Sequence, residues 1–364
     1  MECPKCRLIS PESAQRCNCG YDFVSRKMPD VVVDNFSRSV EMNAILVNNP
    51  ALTGLSILDE ATALIQSGRL DEAPDSVFGA LQGARENMSA EDWKEFARYM
   101  RDQHELAGLI NEDPMTKRAL EKPRGYPGDA VMMDYLYGIH YSHEAAAKAS
   151  PLGREIYRYI QGRPAGEAVR YRREHIAQLI DRMAADGSKP SVLAIAAGHL
   201  REAEISEALA SGSVGRFVAL DADADSLREV ATNYARLGVE TVHGSVRHIL
   251  SRKVKLGTFN FVYAAGLYDY LADNVAKALT VRMFEMTKPG GQMLIPNFAP
   301  QVRDRAYMEA FMDWNLIYRD EHAMATLVSG IDPAEIESYD VYSDPSGSVV
   351  YLMVKKAKRV EEPR

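Results

Sequence analysis

The chain lacks the sequence features of membrane-spanning and secreted proteins. Its 364 residues contain no apolar run of eighteen or more, and the start Met1-Glu-Cys-Pro-Lys-Cys6 has neither a basic nor an apolar segment. These absences predict no membrane span and no signal peptide, so we expect a cytoplasmic protein. An excess of positive charge is also missing, since the formal net charge is −8. Nucleic acid is therefore disfavoured as a partner, because proteins that neutralise a phosphate backbone are usually basic.

Cysteine is absent after residue 19, and the four cysteines form two close pairs: Cys3 and Cys6, then Cys17 and Cys19. Two such pairs can place four thiolates around one zinc ion. In a cytoplasmic chain this spacing favours structural zinc over the alternatives, which are two disulfides or four free thiols. Residues 1–28 are therefore predicted to be a zinc ribbon, folded by its metal, that docks a protein partner. The stretch Cys17–Phe23 is similar to the end of known zinc ribbons.

The three-glycine fingerprint of dinucleotide-binding folds is also absent. A buried apolar run, Ser191–Ala196, leads instead into a turn with the single glycine Gly198. A dinucleotide requires close approach of the backbone to its pyrophosphate, which is the reason for the three glycines. A nicotinamide-dependent oxidoreductase is therefore the least favoured enzyme class.

Residues 29–185 are predicted to be a helical region. With 46% hydrophobic residues the chain is globular, and helical periodicity predicts helices over Ser39–Gln66 and Glu91–Ile110. A rigid loop at residues 121–129 holds two prolines and two glycines together with Arg124 and Tyr126, and Asp129 is expected to cap the helix that follows. This loop is either a binding element or a plain connector. The next helix, predicted over Ala165–Ala185, carries basic residues that we expect to be solvated: Arg170, Arg172 and Arg173.

Residues 186–357 alternate between short apolar runs and amphipathic helices. The runs predict strands at Ser191–Ala196, Arg216–Leu220, Glu240–Val242, Asn260–Ala264 and Gly291–Pro296. Helices are expected near 201–210, 224–237, 272–287 and 302–312. This alternation predicts an α/β fold with a parallel sheet covered on both faces. The chain then ends in an antiparallel hairpin, Ile336–Ser343 with Ser348–Lys355, and in a polar tail at 358–364.

Candidate binding residues follow the predicted strands. Asp221 ends the second strand about twenty residues after the first turn, where a carboxylate can accept two ribose hydroxyls. The alternative for an acidic residue here is a helix cap, a role that suits Asp223 better. The other candidates occupy equivalent strand ends: Ala197, Gly198 and Glu202 after the first, Ala222 after the second, Gly244, Ser245 and Val246 after the third, and Ala265 and Gly266 after the fourth.

The order and spacing of these segments resemble a class I S-adenosylmethionine (SAM)-dependent methyltransferase over residues 185–357. More narrowly, Lys122–Asp129, the Ala-Gly-Leu-Tyr-Asp-Tyr-Leu stretch ending at Leu271, and Asp313–Arg319 resemble a bacterial family that makes the methyl ester of 3-hydroxypalmitic acid. The resemblance implies SAM as cofactor, a small-molecule acceptor and a Rossmann-like sheet. Because the carboxyl edge of that sheet would leave the sulfonium open to water, we expect the N-terminal helical region to form a cap over it. The zinc ribbon is not expected from that family.

The implied cofactor assigns roles to further residues. Tyr126 and Tyr268 would line the methyl-transfer pocket, because tyrosine rings attract a sulfonium, although core packing is an equal alternative for each. Asp269 is a candidate proton acceptor, and Arg124 a candidate carboxylate clamp. His199, in the first turn, would either contact the SAM carboxylate or, as is more usual for a histidine in a loop, be exposed.

The acceptor is expected to be a carboxylic or hydroxy acid. Three alternatives stay open: cyclisation within SAM, methylation of a macromolecule recruited through the ribbon, and a non-catalytic SAM sensor.

Overall fold

The computed structural model describes residues 51–69 and 73–358. The predicted zinc ribbon, the first part of the helix predicted over Ser39–Gln66, and the tail from residue 359 lie outside these ranges. The described residues form two compact units. One contains the residues up to Gly166 together with Arg303–Asn315, and the other contains Glu167–Val302 and the residues from Leu316 onward.

The first unit is built from helices, as the periodicity of its sequence predicts. Its core includes Leu81, Phe96 and Met100, none of which is exposed. The helices are Ala51–Gln66, Ala73–Asn87, Ala90–Asp102, Glu105–Ile110, Pro114–Glu121, Ala130–Tyr137, Tyr141–Lys148, Pro151–Gln161 and Arg305–Phe311.

The prediction of one continuous helix over Glu91–Ile110 is wrong, because His104 separates two helices there. His104 has an extended backbone (φ −78°, ψ 138°), and its Nδ1 accepts the N–H of Leu106 at 3.1 Å. The residue thus caps a second helix, and an extended residue ends the hydrogen-bond ladder of the first one.

Buried carboxylates cap two helices of this unit. Asp129 accepts the N–H of Met132 at 2.8 Å, which confirms the predicted cap, and it also binds Arg118 through Nε at 3.1 Å and Nη2 at 2.6 Å. Asp113 caps the helix Pro114–Glu121 and is fully buried. Burial raises the pKa of the Asp113 carboxyl to about 6.

Glu309 explains why a segment from late in the chain belongs to the helical unit. Its buried carboxylate accepts the indole N–H of Trp93 at 2.6 Å, Nε of Arg85 at 2.8 Å and Nε of Arg305 at 2.7 Å. These charge-assisted hydrogen bonds link the helix Arg305–Phe311 to two helices from the start of the unit.

The second unit contains a seven-stranded sheet in the order β3-β2-β1-β4-β5-β7-β6. Neighbouring strands from β1 to β5 are parallel, whereas β7 runs antiparallel to both β5 and β6. The predicted sheet and its terminal hairpin are thereby confirmed. The strands are β1 (Ser191–Ile195), β2 (Arg216–Asp221), β3 (Val239–His243), β4 (Phe259–Tyr263), β5 (Thr287–Phe298), β6 (Ile336–Ser343) and β7 (Val349–Lys356).

Helices accompany the strands of the second unit. The prediction of one helix near 201–210 is wrong, because this segment is divided into a 3-10 turn, Arg201–Glu204, and a short α-helix. Ser206 caps the short helix by accepting the N–H of Leu209 at 3.2 Å. The α-helices are Pro164–Ala184, which begins in the first unit, then Glu207–Ala210, Ala224–Tyr234, Val246–Leu250, Asp273–Glu285 and Glu321–Ala325. Within the described ranges, no helix has the length and apolar character that crossing a bilayer requires.

Candidate functional site

The turn after β1 has a strained backbone. Ala196, Gly198 and Leu200 all have positive φ, at 52°, 55° and 53°. This conformation is natural for glycine but costs roughly 1–2 kcal/mol for each of the other two residues. The sequence predicted an exposed His199 here, and this is wrong, since the residue is 3% exposed. Strain in a strand-end turn is typical of ligand sites.

Asp221 connects this turn to the end of β2. One carboxylate oxygen, Oδ2, accepts the N–H of Gly198 at 2.8 Å, and Oδ1 accepts the N–H of Asp223 at 2.8 Å. Burial raises the pKa of the Asp221 carboxyl, and these N–H groups oppose that shift. The helix-cap role belongs to Asp223, which accepts the N–H of Asp225 at 3.0 Å.

The end of β3 is hydrogen-bonded to Asp221 and Ala222, at the end of β2. Gly244 donates its N–H to the carbonyl of Asp221 at 2.9 Å, and Nε2 of His243 lies 3.0 Å from the carbonyl of Ala222. Ser245 then precedes the helix that begins at Val246. The candidate residues that follow β3 therefore lie next to Asp221, the predicted ribose-binding residue, in agreement with the parallel order of β2 and β3.

Glu202 is a buried carboxylate that links the 3-10 turn Arg201–Glu204 to the end of β4. The hydroxyl of Tyr263, the last residue of β4, donates to Glu202 Oε1 at 2.5 Å. Burial raises the pKa of the Glu202 carboxyl, whereas the Tyr263 hydroxyl and the charges of Arg173 and Arg172 act in the opposite direction. Tyr263 is not among the residues predicted from the sequence, although its position at the end of a predicted strand is a signal for it.

The expectation that the basic helix face is solvated is wrong for Arg172. This residue is 4% exposed, and its guanidinium nitrogens lie 3.5 and 3.7 Å from the position that a Cβ on Gly266 would take. A side chain at residue 266 would thus contact the arginine. Arg173 is largely buried as well, and it donates to the carbonyl of Arg201 at 2.9 Å. A single sequence does not reveal that these two arginines are buried, because helical periodicity does not show which other element packs against a helix face.

Tyr268 lies in the core. It is 0% exposed, its hydroxyl lies 2.9 Å from Thr280 Oγ1, and it donates to the sulfur of Met283 at 3.3 Å. Burial raises the pKa of this hydroxyl. This placement favours the packing alternative over the predicted role beside the methyl group.

Asp269 holds the end of β5. Its Oδ1 accepts the N–H of Phe298 at 2.6 Å, and its carbonyl accepts the N–H of Ile317 at 2.7 Å. Burial raises the pKa of the Asp269 carboxyl, and the N–H of Phe298 and the charges of Arg172 and Arg319 oppose that shift. The geometry favours a positioning role for this residue.

Arg319, which sequence analysis did not assign, fastens the same loop. It is 2% exposed and donates to the carbonyls of Tyr268 at 2.8 Å and Leu271 at 2.6 Å, and to Asn297 Oδ1 at 2.8 Å. The stretch from Tyr268 to Leu271 is therefore fastened at both ends by one side chain.

The remaining predicted residues lie in the first unit or outside the described residues. Arg124 and Tyr126 are half-buried residues of the first unit, so their predicted roles stay predictions. All four cysteines lie outside the described residues, and the described part of the chain has no cluster of three or more His, Cys, Asp or Glu side chains suited to a metal ion. Zinc binding therefore also stays a prediction.

Comparison with known proteins gives likenesses of structure only. No protein-family model and no curated protein matches the chain. A structure described as a "possible exported protein" from Bordetella parapertussis is 16% identical over 69% of this chain and 95% of that one, with a TM-score of 0.49.

Other similar structures are methyltransferases. An O-methyltransferase family protein from Burkholderia thailandensis is 13% identical over 64% of this chain and 73% of that one, with a TM-score of 0.41. The N-methyltransferase NodS from Bradyrhizobium japonicum, in complex with S-adenosyl-L-homocysteine, is 11% identical over 50% and 86%, with a TM-score of 0.37. Function therefore has to be judged from the chain's own residues.

Proposed function

We propose that this protein is a SAM-dependent methyltransferase that methylates an oxygen of a small carboxylic or hydroxy acid. The observation that carries the proposal is the placement of β7, antiparallel between β5 and β6, at the end of an otherwise parallel sheet. Class I methyltransferase sheets have this strand, whereas classical nicotinamide domains generally do not. The order of the strands reverses between β1 and β4, and ligands of such sheets bind at the carboxyl ends near that point.

The residues at these strand ends fit SAM. A carboxylate has about four acceptor positions, and the backbone N–H groups of Gly198, Asp223 and Ala222 interact with that of Asp221, which leaves a position for a ribose hydroxyl. The side chain of Glu202 supplies a buried carboxylate for the ammonium group, and Gly244–Val246 supply the region beside the adenine. The turn at Ala197 and Gly198 has small side chains and no phosphate-binding pattern, which suits a cofactor without phosphate.

The chain's own residues would orient the acceptor and exclude water, since SAM, when bound, supplies an activated methyl group on a sulfonium. A carboxylate acceptor needs no general base. An oxygen lone pair forms the new C–O bond, the S–CH₃ bond breaks, and its electron pair remains on the sulfur as a neutral thioether. The buried carboxylates Glu202 and Asp269 already accept hydrogen bonds from Tyr263 and Phe298. Carboxylates that already accept hydrogen bonds are less available as general bases. The site therefore favours an acceptor oxygen that is already anionic and needs no deprotonation.

Product analysis with SAM labelled on its methyl group tests the proposal. The purified protein is incubated with the label and a panel of carboxylic and hydroxy acids, and the products are treated with base. We expect label in a base-labile ester that releases methanol. Methylthioadenosine formed without any acceptor would indicate cyclisation within SAM, and binding without turnover across the panel would indicate a sensor. Either result would contradict the proposal.

A further inference from the structure

A cluster of aromatic side chains joins the helix Pro164–Ala184 to the terminal hairpin. The ring of Tyr351 on β7 stacks on Tyr342 of β6 with centroids 5.3 Å apart, and it meets His175 edge-on at 5.4 Å and Tyr171 at 6.3 Å. The hydroxyl of Tyr342 is engaged, because it lies 2.7 Å from Nε2 of His175. The contacts that hold Tyr351 in this cluster are all made by its ring and do not involve its hydroxyl.

The hydroxyl of Tyr351 has no hydrogen-bond partner among the described residues, although the residue is 0% exposed. Leaving a buried hydroxyl without a partner costs about 1–3 kcal/mol, so such groups in folded proteins require an explanation. Burial raises the pKa of this hydroxyl, so that it stays protonated and remains a donor at neutral pH. A ligand with an acceptor atom is one explanation.

Register places this hydroxyl beside the candidate site. Tyr351 pairs with Pro296 of β5, and Leu294, two residues earlier, pairs with Tyr263 of β4. Paired residues and alternate residues along a strand share one face of the sheet. Tyr351 is thus on the same face as Tyr263, the partner of Glu202, and level with the loop that follows β4.

Arg172 brings a positive charge to the same place. It follows Tyr171 on the helix that contacts Tyr351, and its guanidinium packs at van der Waals distance from the Cβ position of Gly266. Its charge is near enough to act on the pKa values of Tyr351, Glu202 and Asp269. Shielding from water strengthens the attraction of such a group for an anion.

We propose that the guanidinium of Arg172 and the hydroxyl of Tyr351 form the subsite that binds the carboxylate of the methyl acceptor. The inference rests on the proposed function and names the substrate class more narrowly, as organic carboxylates with an apolar or aromatic body. Arginine binds a carboxylate with a planar pair of donors, and the tyrosine adds a third donor from the side. The half-buried ring of Tyr171, which contacts Tyr351, provides the surface for the apolar body. Both donors are enclosed, so neighbouring side chains must move when the acceptor binds.

Calorimetry with a matched pair of probes tests this subsite. Octanoate and octanamide have the same alkyl chain, and only octanoate carries a charge. They are titrated into the full-length protein saturated with S-adenosylhomocysteine. We expect octanoate to bind at least about tenfold more tightly than octanamide, in line with a charge-assisted hydrogen-bond pair.

Three variants distinguish the contribution of the two proposed donors from a general effect of packing. Tyr351→Phe removes only a buried hydroxyl without a partner, so we expect a melting temperature equal to or above that of wild type and a loss of about three- to tenfold in the preference for octanoate. Arg172→Met should abolish the preference. Tyr342→Phe removes a neighbouring hydroxyl that is already engaged, and it should change the preference less than twofold.

Failure of this inference is distinguishable from failure of the proposed function. If S-adenosylhomocysteine does not bind, the proposed function fails, and the same titration without it still tests the subsite. If it binds but octanoate shows no preference over octanamide, the subsite is wrong. An equal loss of preference in Tyr342→Phe and Tyr351→Phe would also overturn it, because the effect would then come from packing.

Discussion

The backbone N–H of Gly198 donates to the carboxylate of Asp221 over 2.8 Å. This hydrogen bond joins the ends of two adjacent parallel strands, β1 and β2, at the edge of the sheet where ligands of this architecture bind. The same carboxylate accepts the N–H of Asp223. Asp221 thus shapes the first turn, in addition to the role in binding SAM that we propose for it.

Asp221→Asn should weaken SAM binding by about ten- to a hundredfold, because an amide N–H₂ replaces one acceptor oxygen where charge-assisted hydrogen bonds are made. Calorimetric titration with SAM measures the loss. Asp223→Asn is the matched control, since it makes the same change two residues later while asparagine still caps the helix. We expect this control to bind within about threefold of wild type. Equal effects of the two substitutions would contradict a specific role for Asp221.

Tyr268→Phe should leave SAM affinity and turnover unchanged and lower the free energy of unfolding by about 1 kcal/mol. The reason is that its buried hydroxyl interacts with Thr280 inside the core, and a net hydrogen bond of this kind is worth about that much. Thermal unfolding followed by circular dichroism, together with the methyl-transfer assay, measures both quantities. A tenfold loss of turnover without loss of stability would restore the catalytic role that the sequence suggested.

Asp113 should make the stability of the helical unit depend on pH. Its folded pKa of about 6 exceeds the ordinary value of 3.8, so the folded state binds the extra proton between these values and stability falls as pH rises through this window. The full cost above the window is roughly 3 kcal/mol, from about 1.4 kcal/mol for each pKa unit. Asp113→Asn keeps the cap without the charge, so its stability relative to wild type should rise by about this amount from pH 4 to 7.

Urea unfolding followed by tryptophan fluorescence measures this difference. Both tryptophans, Trp93 and Trp314, are buried in the first unit, so their emission reports on that unit. A stability difference between Asp113→Asn and wild type that stays constant between pH 4 and 7 would show that the carboxyl titrates normally.

The zinc ribbon predicted from Cys3, Cys6, Cys17 and Cys19 is tested by metal analysis of the full chain. We expect about one zinc ion per chain, because four thiolates complete a tetrahedral site. Cys17→Ser should remove most of the metal, whereas Ser13→Ala, in the loop between the two pairs, should retain it. A metal-free protein whose mass shows two disulfides would support the alternative pairing of the cysteines.

The sheet was predictable from sequence because its strands are short apolar runs separated by turns. The start of β5 was placed too late, because Lys288-Pro-Gly-Gly291 is typical of a turn, yet the strand begins at Thr287 and accommodates Gly290 at a φ of 76°. The break at His104 was missed because histidine is not among the usual helix-capping residues, and only the geometry shows its ring accepting an N–H.

The candidate site was predictable only in part. Asp221 and Gly198 follow from strand ends and spacing, which a single sequence contains. Arg172 and Tyr351 do not, because their roles depend on which helix covers which face of the sheet. Tyr268 was assigned to the pocket from its position in a strand-end loop, but the direction of its side chain is decided by packing against the helix Asp273–Glu285.

The central claim is that the strand ends of the second unit bind SAM. Calorimetric titration of the purified protein with SAM, S-adenosylhomocysteine and NAD tests it most directly. We predict saturable binding of the first two at one site per chain, with no binding of NAD. Failure of both SAM and S-adenosylhomocysteine to bind, or binding of NAD alone, would contradict it.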